Sequence, residues 1–136
     1  MPERIFVDTS AWVAVGSVDD ERHARAKAEW DRLITEQAQL VTSNYVISET
    51  ITTVQGFAGH ARAVELGEQL FNSQSLRRVR VDEALERTAW LLFKKYDDQE
   101  FSFIDCSSFA VMKAQGMKKA FAFDRDFRIA GFQLLP

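Results

Sequence analysis

The sequence predicts an α/β fold: a three-layer α/β/α sandwich with a central, mostly parallel sheet. Short apolar segments alternate along the chain with longer segments whose apolar residues recur at helical spacing. Strands separated by helices need crossover connections, which produce parallel strands covered by helices on both faces. The length of 136 residues is enough for one hydrophobic core but not for two, so we predict a single domain over residues 1–136.

The first half of the chain shows this alternation from the N-terminus. Strands are predicted at Ile5–Val7 and Leu40–Val41, because short apolar runs of this kind are typical of buried strands. Four helices are predicted from capping residues and helical spacing. They run from a Thr9 or Ser10 cap to about Val15, from Asp19 or Asp20 to about Glu36, from Ser43 or Asn44 to about Val54, and over Ala61–Phe71.

The second half continues the pattern. In Leu76–Val81 the valines alternate with arginines, which is typical of an exposed or edge strand. The remaining elements follow from capping residues and apolar runs. They are a helix from an Asp82 cap to about Lys95, a helix from a Ser102 cap to near Gly116, a strand at Ala120–Phe123 and a further strand at Phe132–Leu135.

Composition and charge exclude several classes of protein. Hydrophobic residues make up 46% and charged residues 27% of the chain, which is close to ordinary globular usage and indicates neither a disordered protein nor a membrane protein. No apolar stretch is long enough to span a membrane, and the N-terminus has no basic segment followed by an apolar run, so we expect neither a membrane protein nor a secretory signal. Cys106 is the only cysteine, which rules out an intrachain disulfide, and we expect the protein in the cytoplasm. The formal net charge of -3 argues against indiscriminate binding to nucleic acid.

Four acidic residues occupy positions that this topology would bring together. Asp8 and Asp124 directly follow predicted strands, and ligands of open parallel sheets bind beyond the carboxyl ends of the strands. Glu49 lies on the helix after the second strand, and Asp105 lies in the first turn of the helix that leads into the Ala120–Phe123 strand. Carboxylates that converge without lysine or histidine counterions repel one another. Such a cluster indicates a hard cation, because Mg²⁺ and Mn²⁺ prefer carboxylate and water oxygens.

Each acid also has an ordinary structural alternative. Asp8 is placed to cap a helix, and Asp105 is placed to be the acidic member of a capping box. Asp124 and Asp126 suit a turn after a strand, and Glu49 suits the exposed face of a helix. The prediction of a metal site therefore depends on the whole set and not on any single residue.

Four short motifs carry a resemblance to a known family. In chain order they are Val7-Asp8-Thr9-Ser10, Tyr45-Val46-Ile47-Ser48-Glu49, Phe103-Ile104-Asp105 and Phe123-Asp124-Arg125-Asp126-Phe127. Their order, their spacing and the total length resemble the PIN domain, and in particular the VapC-type toxins. The resemblance covers essentially the whole chain.

The resemblance implies an activity and a set of site residues. Asp8, Glu49, Asp105 and Asp124 would be the acidic quartet and Asp126 an auxiliary acid, together holding Mg²⁺, for which Mn²⁺ would substitute. The implied reaction is metal-dependent endonucleolytic hydrolysis of RNA phosphodiester bonds by the toxin of a toxin–antitoxin pair. The family also implies a homodimer and a small antitoxin protein whose tail occupies a groove and reaches the acidic pocket.

One position departs from the family pattern. Many relatives carry a hydroxyl residue two positions before the fourth acid, where this chain has Ala122. Thr9 or Ser10 is then a candidate source of a hydroxyl, with helix capping as the alternative. A basic patch for the RNA backbone, or alternatively a solvated helix end, is predicted from residues near the later motifs. These are Lys113, Lys118, Lys119 and Arg128.

Three other functions use a similar arrangement. A PIN-like protein outside a toxin–antitoxin system would process or bind RNA, although the intact set of four acids favours cleavage over binding alone. A phospho-acceptor domain would have paired acids after the first strand and a lysine after the last, and this sequence has neither. A phosphohydrolase with an Asp-x-Asp motif would carry it after the first strand, whereas Asp124 and Asp126 lie near the end of the chain.

Overall fold

The computed structural model describes residues 2–136 and contains a five-stranded sheet in which every neighbouring pair of strands is parallel. The strands lie in the order β3–β2–β1–β4–β5. They are β1 Arg4–Val7, β2 Gln39–Ser43, β3 Leu76–Val79, β4 Lys119–Phe121 and β5 Gln133–Leu135. The helices are α1 Thr9–Gly16, α2 His23–Thr35, α3 Asn44–Ala58, α4 His60–Asn72, α5 Glu83–Lys95, α6 Phe103–Ala114 and α7 Asp126–Ile129.

Both faces of the sheet are covered, which confirms the predicted α/β sandwich. The side chains of Ile5, Phe6 and Val7 are fully buried, and successive side chains of a strand point to opposite faces. On the face that carries Phe6, the Phe127 ring of α7 packs between Phe6 and Phe109 of α6, with centroid separations of 6.4 Å and 5.1 Å. No helix within residues 2–136 combines the length and the apolar character needed to cross a membrane.

The strand order places a topological switch point between β1 and β4. From β1 the chain adds β2 and β3 on one side of the sheet, and later adds β4 and β5 on the other. Open α/β sheets bind their ligands beyond the carboxyl ends of the strands at such a point. The two strand ends are joined directly, because the backbone N–H of Asp8 donates to the carbonyl of Phe121 at 3.0 Å.

Several predicted boundaries are wrong, each for a local reason. α1 is capped by Asp8 and not by Thr9 or Ser10, which lie inside the helix. α2 begins at His23 and not at Asp19 or Asp20, because Asp20 instead accepts a hydrogen bond from the backbone N–H of Arg22 at 2.7 Å in the preceding turn. Such a local bond competes with the first turn of a helix.

Three further elements end at residues other than those predicted. α3 continues past Val54 to Ala58 and ends at Gly59, whose φ of 91° suits glycine. β3 is an edge strand, as predicted, but it stops at Val79. β4 ends at Phe121, so Asp124 lies in the loop beyond the strand and does not follow it directly.

Candidate metal centre

Three carboxylates converge beyond the carboxyl end of β4. Asp105, Asp124 and Asp126 each offer a carboxylate oxygen, and these oxygens all lie within 4.8 Å of one another. Asp105 comes from the first turn of α6, Asp124 from the loop after β4, and Asp126 from the first residue of α7. The three residues are therefore supplied by separate segments that meet at one edge of the sheet.

Local hydrogen bonds fix two of these acids. Oδ1 of Asp124 accepts a hydrogen bond from the backbone N–H of Asp126 at 2.9 Å, which holds the turn into α7. Asp105 forms a capping box with Ser102: its N–H donates to Oγ of Ser102 at 3.0 Å, and its Oδ2 accepts from the N–H of Ser102 at 3.1 Å. The capping role that the sequence offered for Asp105 is thus real, and the same box aims its carboxylate at the other two acids.

Asp8 lies beside this cluster on the buried side. Its exposed fraction is only 5%, and it is the N-cap of α1. Oδ2 of Asp8 accepts from the N–H of Ser10 at 3.3 Å and from its hydroxyl at 3.0 Å. The hydroxyl of Ser10 also accepts from the backbone N–H of Phe123 at 3.0 Å. A hydroxyl from α1 therefore reaches the loop that carries Asp124, in a chain whose loop has Ala122 and not a hydroxyl residue.

The pKa values of Asp8 and Asp105 are both raised, and the charge of Asp8 contributes to the shift of Asp105. Burial is the largest cause that raises the pKa of Asp8 to about 6; the hydrogen bonds from Ser10 lower the pKa, and the charge of Glu49 raises it. Burial also raises the pKa of Asp105 to about 7, with further increases from the charges of Asp8 and Asp124. The pKa of Asp126 is raised as well, first by burial and then by the charge of Asp124. These shifts are those of carboxylates that share one crevice.

Glu49 is more distant. It is half-buried on α3 and is not part of the three-carboxylate group, and neither is Asp8. Its helix is tied to α1 by a buried hydrogen bond of 3.4 Å in which Thr50 donates to Thr9. Thus the five acids predicted from the sequence form a tight group of three, with Asp8 electrostatically linked to Asp105 and Glu49 linked to Asp8.

The donor set fits a hard divalent cation. All five side chains offer oxygen only, which is the ligand that Mg²⁺ and Mn²⁺ prefer. No lysine, arginine or histidine nitrogen of residues 2–136 lies within 4.0 Å of any of these carboxylates. Buried negative charge without a protein counterion is costly, and a bound cation removes that cost.

Comparison with known proteins decides the family. Residues 5–133 match the PIN domain. This chain belongs to the PIN-domain family. The 23S rRNA-specific endonuclease VapC20 of Mycobacterium tuberculosis, in strains H37Rv and CDC 1551, is 41% identical to this PIN domain over 128 residues, which cover 94% of this chain and 95% of VapC20.

Solved structures agree with this assignment. The crystal structure of Mycobacterium tuberculosis VapC20, described as a sarcin–ricin loop cleaving toxin, has 40% identity and a TM-score of 0.89, covering 97% of this chain and 99% of that one. FitAcB of Neisseria gonorrhoeae, at 19% identity, has a TM-score of 0.73 over 97% of this chain and 96% of that one. VapBC2 of Rickettsia felis, solved with promoter DNA, has 12% identity and a TM-score of 0.70 over 96% of each chain. The last two show the fold alone, whereas the identity with VapC20 over nearly the whole chain places this PIN domain among the VapC-type toxins.

Sequence reasoning missed some of the contacts that support the site of this PIN domain. The Thr50–Thr9 bond and the Ser10–Phe123 bond each join segments that are far apart in the chain. Single hydroxyl residues carry no sequence signal for such a partner. The absence of a hydroxyl at Ala122 indicated Thr9 or Ser10 as its source, but no signal identified Thr50 or the N–H of Phe123 as their partners.

Proposed function

We propose that this PIN domain cleaves RNA with Mg²⁺, or Mn²⁺ in its place, bound at the acidic site. Asp105, Asp124 and Asp126 would hold the cation together with Asp8, and Glu49 would act through bound water. The observation that carries the proposal is the approach of three carboxylate oxygens to within 4.8 Å of one another at the switch point of the sheet. Such an approach is repulsive unless a cation lies among them.

The side chains bind and orient, and none of them is needed as a nucleophile. A bound divalent cation supplies a Lewis acid, which lowers the pKa of a coordinated water and neutralises charge that develops on the phosphoryl group. Asp8 is held in one orientation by Ser10, and the capping box with Ser102 does the same for Asp105. This fixed first layer of oxygens keeps the site preorganised.

We further propose that the substrate is a loop of large-subunit ribosomal RNA. The support is the identity of 41% with VapC20, a 23S rRNA-specific endonuclease, over 94% of this chain. A ribosomal target also agrees with the cytoplasmic location expected from the sequence. The loop of an RNA hairpin offers unpaired nucleotides, whose backbone approaches a shallow acidic site more easily than a duplex does.

A cognate antitoxin is the proposed protein partner. An apolar groove of about 690 Å³ runs between α1, α2 and α4 and provides a surface for a short apolar segment. It is lined in part by Trp12, Trp30, Ile34, Leu66, Leu70 and Leu76. The matching chain of VapBC2 of Rickettsia felis has the same fold, and this likeness supports a pairing with an antitoxin. The resemblance to VapC-type toxins supports a homodimer. Light scattering at micromolar concentration tests the homodimer, and a monomer would contradict it.

Cleavage of ribosomal RNA tests the proposed activity. Purified protein is incubated with intact ribosomes and with a synthetic hairpin of the sarcin–ricin loop, in Mg²⁺, in Mn²⁺ and in EDTA. We expect one defined cut that EDTA abolishes and that Asp124→Asn slows by at least on the order of 10²-fold, as for loss of a preorganised electrostatic group. Full cleavage in EDTA would contradict the metal mechanism.

Growth after expression tests the toxin role. Expression of the wild-type chain alone should arrest growth, and Asp124→Asn at equal protein level should relieve the arrest. Coexpression with the cognate antitoxin should relieve it for the wild type. An active nuclease that causes no arrest would favour the alternative, an RNA-processing PIN domain outside a toxin–antitoxin system.

A further inference from the structure

Two guanidinium groups lie over one aromatic ring at the edge of the acidic site. The Cζ atoms of Arg22 and Arg25 are 5.1 Å and 5.5 Å from the ring centroid of Phe123, within the range of cation–π attraction. Phe123 immediately precedes Asp124, and its backbone N–H donates to the hydroxyl of Ser10. The backbone of Phe123 is therefore tied to α1 beside Asp8, and its ring contacts two arginines at the start of α2.

The two arginines differ in their partners. Arg22 pairs with Asp20, with Nε at 3.3 Å from Oδ1 and Nη2 at 3.5 Å from Oδ2, so its charge is largely neutralised. Arg25 is exposed, and no carboxylate in the described chain lies within 4.0 Å of its guanidinium. Arg25 thus keeps its positive charge and its N–H donors available to a ligand.

The basic patch predicted from the sequence is a weaker candidate than Arg25 for binding a phosphate beside the acids. Of its four members, Lys119 is paired with Glu3 at the amino end of the sheet, away from the acids. The other three have no ion pair among residues 2–136, but none of them contacts the ring of Phe123 in the loop that carries Asp124. These are Lys113, Lys118 and Arg128. Arg25 combines an unpaired charge with a contact to the ring of Phe123, the residue that precedes Asp124.

An acidic nuclease site needs a positively charged side chain nearby in order to bind RNA. The carboxylates repel the phosphates that flank the bond to be cut, and the chain as a whole has a net charge of -3. The guanidinium of Arg25 contacts the Phe123 ring and is not paired with a carboxylate of the described residues, so it is not neutralised by the acids. Arginine is suited to the task because its planar fork of N–H donors matches the oxygens of a phosphate.

We propose that Arg25 binds a phosphate of the RNA backbone next to the cleaved bond, and that Phe123 and Arg22 are positioning residues for it. The proposal rests on the proposed function, because it takes RNA to be the substrate of the acidic site. It assigns the α2 start and the loop after β4 as the two walls of the path that the RNA strand follows into the site.

Salt-dependent binding of RNA tests the proposal. The affinity of a labelled hairpin is measured at several salt concentrations in an Asp124→Asn background, which prevents cleavage. Adding Arg25→Gln should raise Kd on the order of tenfold, as for loss of one charged hydrogen-bonded contact. It should also make the slope of log K against log salt less steep by about 0.7, which is the value of one phosphate contact on a single strand.

Two further variants test whether the change in RNA binding is specific to the guanidinium of Arg25. Arg25→Lys should restore the slope but only part of the affinity, because lysine keeps the charge and loses the planar fork. Arg77→Gln is the matched control: Arg77 is an exposed arginine without an ion pair in the described residues, on edge strand β3, and its loss should leave Kd and slope unchanged.

The outcomes distinguish this inference from the proposed function. A wild-type protein that binds the hairpin through Arg25 but does not cleave RNA would overturn the proposed function and leave the phosphate contact standing. Cleavage by the wild type, with Kd and slope unchanged in Arg25→Gln, would overturn the phosphate contact alone. An Arg25→Gln protein that only melts lower, with unchanged binding, would show that the arginine merely packs α2 onto Phe123. An equal effect of Arg77→Gln would also overturn the proposal.

Discussion

The hydroxyl of Ser10 donates a hydrogen bond to Oδ2 of Asp8 at 3.0 Å. The hydroxyl oxygen of Ser10 in turn accepts a hydrogen bond from the backbone N–H of Phe123, also at 3.0 Å. Asp8 follows β1 and Phe123 lies in the loop after β4, so one small side chain joins the two strand ends on either side of the switch point. Asp8 and Asp124 of the proposed metal site lie in these two segments, whereas Asp105, Asp126 and Glu49 come from α6, α7 and α3.

Removing this hydroxyl should loosen the site. Ser10→Ala leaves the N–H of Phe123 without its partner, and Oδ2 of Asp8 keeps only the backbone N–H of residue 10, so we expect the free energy of unfolding to fall by about 1–2 kcal/mol. Cleavage should slow on the order of tenfold, because the orientation of Asp8 relative to the Asp124 loop is less fixed. Chemical denaturation and single-turnover cleavage measure the two effects.

Ser10→Thr is the matched control for this change. It keeps a hydroxyl at the same position, so it should retain most of both the stability and the activity that Ser10→Ala loses. If Ser10→Thr and Ser10→Ala behave alike, the bridge contributes nothing and the effect comes only from altered packing at the start of α1.

Much of the fold could be predicted because its signals are local. Apolar runs such as Ile5–Val7 and capping residues such as Asp82 and Ser102 marked every element except the four-residue helix α7 in its observed order. The errors arose where a short polar side chain bonded the backbone nearby, as Asp20 does before α2. Apolar character also overstated β4, because Ala122 and Phe123 are apolar but belong to the site loop.

The candidate site was less accessible to sequence reasoning. Capping and metal binding were weighed as alternatives for Asp8 and Asp105, yet in the structure the capping hydrogen bonds are what orient these two acids. Contacts such as that of Arg25 with Phe123 join residues far apart in the chain and depend on how α2 packs. No local pattern predicts a contact of this kind.

The capping box makes it possible to separate the two roles of Asp105. Ser102→Ala removes the cap but keeps the carboxylate, so it should cost about 1 kcal/mol of stability and reduce cleavage by less than about tenfold. Asp105→Asn keeps an acceptor for the N–H of Ser102, so without metal near pH 4, where Asp105 of the wild type is also protonated, it should change stability little. Cleavage in the presence of metal should fall by at least on the order of 10²-fold. Denaturation and cleavage assays on both variants measure this. Equal loss of activity in the two would mean that Asp105 acts only through the cap.

The stability of the metal-free protein should depend on pH through Asp8. Burial raises the pKa of Asp8 to about 6 and that of Asp105 to about 7, whereas the unfolded chain has the ordinary value of about 3.9. The folded state therefore binds more protons than the unfolded chain between about pH 4 and 7. The stability contributed by these groups is fully present below about pH 4 and is lost as the pH rises through 6 and 7.

Asp8→Asn isolates this effect, because asparagine does not titrate and is an equally good helix cap. In EDTA above about pH 7, we expect Asp8→Asn to be more stable than the wild type by up to about 3 kcal/mol. The advantage should shrink to near zero as the pH falls towards 4. Denaturation curves of both proteins across this range measure it, and a difference that does not change with pH would contradict the raised pKa.

Metal binding should stabilise the fold in proportion to each acid's part in the site. A cation that binds only the folded state at about one hundred times its Kd adds about 2.7 kcal/mol. Mg²⁺ or Mn²⁺ should therefore raise the melting temperature of the wild type. Asp124→Asn should lose most of this shift, because Asp124 belongs to the group of three carboxylates. Glu49→Gln should lose a smaller part, since Glu49 lies outside that group.

Asp82→Asn is the control for the metal series. Asp82 caps α5, as Asp8 caps α1, but it is exposed and is not one of the five acids of the site. Asparagine also caps, so this variant should show the full shift of the wild type on addition of metal. Melting curves of all four proteins with and without metal give the ranking. If the metal shifts all four equally, the acids share no cation, and their hydrogen bonds in caps and turns account for their positions.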